Sequence, residues 1–186
     1  MASGLFSRMD DAALESFEPR GPIPGLSTTP LQSFRNSVQD LVITDKDDIL
    51  QYAEHYFPEK KVYDGSPPMN AEEGRAIYLY TCDSAPPKFY QVFNDHLRDK
   101  DRSKLRQYLP ILKLLLSAMS KLQSRPGRVL WRGVKKDLYD MYKDKVGKTV
   151  VFWGFTSSTT DMQVLDSFLP PQGGTIFCVA WTLEPN

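Results

Sequence analysis

Cysteine and histidine are scarce, with two of each in 186 residues. Cys82 and Cys178 lie far apart, which gives no disulfide framework. Cys178 sits in an apolar run and reads as a small buried hydrophobe. His55 and His96 are isolated from each other and from both cysteines, so no zinc spacing exists and no metal is expected. No apolar run approaches the roughly 20 residues of a membrane span. The opening MASGLFSRMDDAALESFEPRG lacks the apolar stretch of a signal peptide and carries acids that a transit peptide avoids. The expectation is a cytoplasmic protein with no membrane contact. Also missing are G-x-G-x-x-G and G-x-S-x-G, and two scattered histidines give little support to a Ser-His-Asp hydrolase. Gly147-Lys148-Thr149 resembles the end of a phosphate-binding loop, but the first glycine of that motif would fall at Tyr142, and a strand-like run follows where a helix is required. The aromatic residues do not interleave with basic ones, which argues against a nucleic-acid partner.

What is present suits one globular domain: 186 residues, 41% hydrophobic and 25% charged. The net charge is zero but unevenly spread. Residues 95–148 hold 15 Lys/Arg against 6 Asp/Glu, residues 1–94 hold 8 against 14, and residues 149–186 hold none against 3. A basic centre concentrates anionic ligands such as pyrophosphates. The plainer reading of Arg98, Lys100, Arg102, Lys104 and Arg106 is a solvated helix face.

Residues 1–40 are rich in Gly, Pro and Ser and poor in aromatic and β-branched types, so they read as a flexible leader. In TDKDDILQYAEHYFPEK, Thr44 is a candidate cap, Ile49, Tyr52, Ala53 and Tyr56 recur at helical spacing, and Pro58 ends the helix. Further helices are expected at AEEGRAIYLYTC, after Pro86-Pro87 with Phe89, Val92, Phe93 and Leu97 on one face, and at QYLPILKLLLSAMSKLQ, which is apolar enough to be buried and has Pro110 near its first turn. After Arg125-Pro126-Gly127 the periodicity changes. Strands are expected at RVLWRGV, KTVVFWGF and GTIFCVAWTL, the last buried on both faces, with short helices at KKDLYDMYKDK and TTDMQVLDSFL. Helices followed by strands give an α+β class.

Two places could carry chemistry. In VLWRGV, alternation places Arg132 on one face with Leu130 and Val134, and both faces are apolar. A buried guanidinium requires a partner, either a protein carboxylate or a ligand phosphate. Gly133 allows close backbone approach, or marks a bulge. In GFTSSTTD, Thr156 to Thr160 are five consecutive hydroxyl residues at the end of the expected strand. They suit ligand holding, or helix capping by Thr159 or Thr160.

Taken in order, LWRGV, FTSST and GTIFCVAW, preceded by YQVFNDHLRDKDR and a buried helix, resemble the arginine-specific mono-ADP-ribosyltransferases with the R-S-E signature. The resemblance covers about residues 65–186. It implies a domain over 41–186, with a helical subregion 41–125 and an ADP-ribosyltransferase-type mixed β-core 126–186 that is incomplete at the C-terminus. It implies that Arg132 grips the phosphate and ribose side of NAD, and that Gly133 offers backbone groups to the nicotinamide amide. Ser157, Ser158 and Thr159 match the Ser-Thr-Ser motif, with a Ser/Thr exchange at the second and third positions, and Ser157 is the serine that orients the ribose.

The implied co-substrate is NAD or NADP, without a metal, and the implied partner is an acceptor protein with an exposed arginine. The implied reaction releases nicotinamide through an oxocarbenium-like state that a carboxylate must stabilise. The family places E/Q-x-E after one more stretch beyond GTIFCVAWTL, whereas this sequence ends at Asn186. Glu184 has Thr182 where the partner acid should be, so it is not assigned the catalytic role. Arg132 and Ser157 are thus the catalytic-site residues present, in a chain expected to be truncated before the glutamate pair. The alternatives are a non-catalytic NAD-binding or protein-interaction module and a phosphate-recognising adaptor that uses the basic centre.

Overall fold

The computed structural model describes residues 22–59, 63, 65–82, 87–122, 128–166, 169–171 and 173–180. These fall into two compact units, one within Arg20–Gln123 and one within Ser124–Asn186.

The first unit is helical: α1 (Phe34–Val38), α2 (Lys46–Tyr56), α3 (Ala71–Thr81), α4 (Phe89–Arg98), a 3-10 helix (Arg102–Tyr108) and α5 (Leu109–Lys121). Helix α1 lies inside the stretch expected to be a leader. Ser33 caps it by accepting from the Asn36 amide, and Phe34 and Val38 are buried. Two well-placed apolar side chains anchor a turn that average composition over 40 residues conceals. Residues 1–21 of that stretch lie outside the described residues.

Helix α2 is not capped by Thr44. Asp45 precedes it in the left-handed region at φ 55° and makes no side-chain cap bond, while Asp47 and Asp48 in the first turn favour the positive end of the helix dipole. Ile49, Leu50 and Ala53 face inward, whereas Tyr52 and Tyr56 are exposed. The buried stripe is therefore rotated relative to the expected one.

Helix α3 begins with a capping box. Asn70 accepts from the Glu73 amide, and the Glu73 carboxylate accepts from the Asn70 amide, both at 2.9 Å. Its Gly74 has a packing reason, since a Cβ there would lie 2.3 Å from Phe57 Cδ1. The same Glu73 carboxylate accepts from Ser117 Oγ at 2.6 Å and from Lys121 Nζ at 2.8 Å, which ties α3 to α5. Burial would raise its pKa, yet the bonds from Lys121, Ser117 and the Asn70 amide bring it below the ordinary value of 4.5.

In α4, Phe89 stacks on Phe93, which meets Tyr108 of the 3-10 helix at 5.6 Å. The basic cluster is not one solvated face. Arg98 is buried, and Arg102 Nη1 donates to the Leu97 carbonyl at 2.6 Å. Lys100, Lys104 and Arg106 are exposed, and Lys104 pairs with Asp99. A 3-10 helix has three residues per turn, so the basic side chains fan out over more than one direction.

The second unit contains β1 (Val129–Val134), α6 (Tyr139–Tyr142), a 3-10 turn (Lys143–Lys145), α7 (Gln163–Asp166) and β2 (Thr175–Ala180). Strands β1 and β2 are antiparallel, with Arg132 opposite Phe177 and Val134 opposite Thr175. Helices first and strands after give the expected α+β class, and the described sheet has two strands.

The expected strand at 148–155 does not form. Val151 and Phe152 are exposed, and β1 meets this segment only further on, at Thr159. β-Branched and aromatic residues favour a strand but cannot provide a ladder partner. The expected burial of the last strand on both faces also fails: Ile176, Cys178 and Val179 are exposed. Among the described residues β2 is flanked by β1 alone, so nothing described covers those side chains. Residues 181–183 of that expected strand lie outside the described residues. No helix of the described residues is long and apolar enough to cross a membrane.

Candidate functional site

Alternation along β1 places Arg132 on the face it shares with Val134, and the side chain is 1% exposed. Val134 packs with Leu138, Met141, Tyr142 and Phe177, which anchors that end of the strand. The guanidinium extends toward the strand edge away from β2, where Nη1 donates to the Ser157 carbonyl at 2.9 Å. Two residues on, the Trp131 amide donates to the Thr159 carbonyl at 2.7 Å and the Thr159 amide donates to the Trp131 carbonyl at 2.8 Å. The structure thus brings Arg132 together with Ser157, Ser158 and Thr159, which stand 25 to 27 positions later in the chain.

Hydroxyl roles divide along this segment. Ser157, Ser158 and Thr159 are half-buried, and among the described residues nothing engages the Ser157 or Ser158 hydroxyl. Thr159 Oγ1 accepts from the Asp161 amide at 3.1 Å. Neither Thr159 nor Thr160 caps α7. Asp161 Oδ1 accepts from the Gln163 amide at 2.9 Å and caps the helix in their place. An Asp two residues before an apolar-periodic segment was the available signal.

Gly133 is used on two sides. A Cβ there would meet Leu165 Cδ2 at 3.2 Å and Leu169 Cδ2 at 3.3 Å, so the missing side chain lets the α7 segment pack against β1. No bulge is present, because Gly133 pairs in register with Ile176. Trp131 turns its amide and carbonyl toward Thr159, and backbone groups two residues apart along a strand point the same way. The Gly133 N–H and C=O therefore face the Ser157 edge rather than β2. Leu165 and Leu169 are the supporting residues that the sequence reading missed. The Gly147-Lys148-Thr149 triplet forms a turn, with Gly147 at φ 75° and the Lys148 amide donating to the Lys145 carbonyl, and no helix starts there. Glu184 lies outside the described residues.

A strand arginine braced against a serine-threonine segment, in a chain whose helices precede its strands in sequence, belongs to an α+β protein. The family model described as NAD:arginine ADP-ribosyltransferase matches residues 33–182, and the chain belongs to that family. Its family-level function is transfer of ADP-ribose from NAD to a protein acceptor. The match begins at Ser33, at the cap of α1, well before the stretch in which the resemblance was legible. No curated protein and no solved structure matches the chain.

Proposed function

We infer that this chain binds NAD at the Arg132–Ser157 junction as the donor for ADP-ribosylation of an arginine on an acceptor protein. The observation that carries the reading is the contact of Arg132 Nη1 with Ser157, which joins the two signature positions. A guanidinium suits a pyrophosphate because its planar fork matches two phosphate oxygens. The Gly133 N–H and C=O match the acceptor and donor of a carboxamide. The Ser157 hydroxyl orients the ribose, and the Ser158 and Thr159 segment completes the rim. Loss of nicotinamide leaves positive charge on the ribose, which a carboxylate must stabilise. The sequence contains no E-x-E, so the residues present bind and orient, and none of them is assigned that carboxylate role.

The 1% exposure of Arg132 favours a second reading, in which its guanidinium is a strut for the serine segment in a non-catalytic module. Calorimetry with NAD, beside an assay of nicotinamide release, separates the two. Arg132→Ala abolishes NAD binding on the first reading. Ser157→Ala weakens it less, because a charge-assisted bond exceeds a neutral one by about 1 kcal/mol. Equal NAD affinity in the parent and both variants sinks the assignment. Binding without nicotinamide release supports a non-catalytic NAD-binding module. Absence of NAD binding, with a lowered melting temperature in Arg132→Ala, supports the strut.

A further inference from the structure

A cleft lies beside the strand pair that carries Arg132. Asp137, Tyr139, Tyr142, Lys143 and Phe177 line an open cleft of about 600 Å³, within the size range of small-ligand sites. Phe177 stands directly across the ladder from Arg132, so the two side chains share a face of the sheet, about 5 Å apart at the backbone. Tyr142 meets the Phe177 ring edge-on at 5.0 Å, forming an aromatic wall, and Tyr139 is 70% exposed at the rim. Such rings are stacking platforms for a base.

The polar groups of the cleft differ in what they have left to offer. Thr175 Oγ1 accepts from the Leu138 amide and donates to the Lys136 carbonyl, so its hydroxyl is engaged on both sides. Lys143 Nζ is held by Asp140 Oδ1 at 2.6 Å. Asp137 Oδ1 accepts from the Tyr139 amide at 2.9 Å, and among the described residues its second carboxylate oxygen takes no bond. The cleft therefore presents aromatic faces, one carboxylate oxygen with no bond among the described residues, and a lysine that pairs with Asp140 at the surface.

We propose that this cleft takes the adenosine end of NAD, with Asp137 accepting from the ribose hydroxyls, and that it selects NAD over NADP. The proposal rests on the reading that Arg132 holds the pyrophosphate. A vicinal diol offers two donors to an acceptor-only carboxylate. A 2′-phosphate removes one donor and sets negative charge beside Asp137, while Lys143 is shared with Asp140.

Calorimetric titrations of the chain with NAD, NADP and nicotinamide mononucleotide test this. NADP binds about tenfold more weakly than NAD to the parent protein, the size of one screened like-charge contact. In Asp137→Asn the amide oxygen can still accept from Tyr139, the charge is gone, and the gap closes to about twofold. Nicotinamide mononucleotide lacks the adenosine end, so it binds the parent and Asp137→Asn alike and reports on the Arg132 junction alone. Equal affinities for NAD and NADP in the parent, or an unchanged gap in Asp137→Asn, overturn the proposal while mononucleotide binding leaves the Arg132 reading standing. Failure of the mononucleotide and both dinucleotides to bind overturns the two together.

Discussion

The two units place their buried side chains very differently. Of the 24 buried apolar residues among those described, 21 belong to the helical unit, and three, Val134, Leu138 and Leu165, belong to the strand unit. The helical unit also buries a satisfied charge network around Glu73, whereas the strand unit buries one large cation, Arg132, next to hydroxyls that no described residue engages. The contrast separates two tasks. Most of the described buried apolar side chains lie in the helical unit, whereas Arg132 and the hydroxyl run lie in the unit with few of them, and sparse apolar burial lowers the cost of local opening.

The largest test of that division is Glu73→Ala, which leaves Lys121 without its buried partner and removes half of the capping box. It is expected to destabilise the helical unit by about 3 kcal/mol, read from urea unfolding, with nucleotide affinity of the folded fraction unchanged. Acid approaches the same state reversibly. The folded-state pKa of Glu73 is depressed, so its contribution is fully present above the ordinary value of 4.5 and is lost as pH falls through the lower folded value. Melting temperatures recorded from pH 7 downward should drop below that point, and Glu73→Gln should flatten that part of the drop.

Next in size is Gly74→Ala. An alanine normally favours a helix over glycine by about 1 kcal/mol, but here its methyl would collide with the Phe57 ring, and a net loss of about 1–2 kcal/mol is expected. A gain in stability would show that Phe57 yields freely and that the helical unit is less tightly packed than described. Smallest is Gly133→Ala, whose methyl needs only a few tenths of an ångström from the ends of Leu165 and Leu169. A cost under about 1 kcal/mol is expected, detected as faster exchange of the β1 amides. A much larger loss would place the strand unit on the same packing footing as the helical one.

Legibility in the sequence followed the range of the forces involved. Helices α3, α4 and α5 were readable because apolar spacing and Pro110 act within a few residues of themselves. Helix α1 was not, because five residues are too few for periodicity, and its anchoring depends on Phe34 finding the helices around it. The strand expected at 148–155 failed for the converse reason, since propensity is local and a ladder needs a partner. Cys178 was misread as buried because an apolar run shows what could be covered and not what covers it. At the site, Arg132 and the hydroxyl run were visible as residue types. Their meeting, the leucines against Gly133 and the Asp161 cap were visible only in three dimensions.

The reciprocal peptide pair between Trp131 and Thr159 has one more consequence. Because main-chain atoms fix where the hydroxyl run crosses the neighbouring strand, and Arg132 itself grips a main-chain oxygen, the spelling of that run is free to drift between serine and threonine. A methyl can be exchanged here without moving the anchor, because neither main-chain contact depends on which hydroxyl residue supplies it.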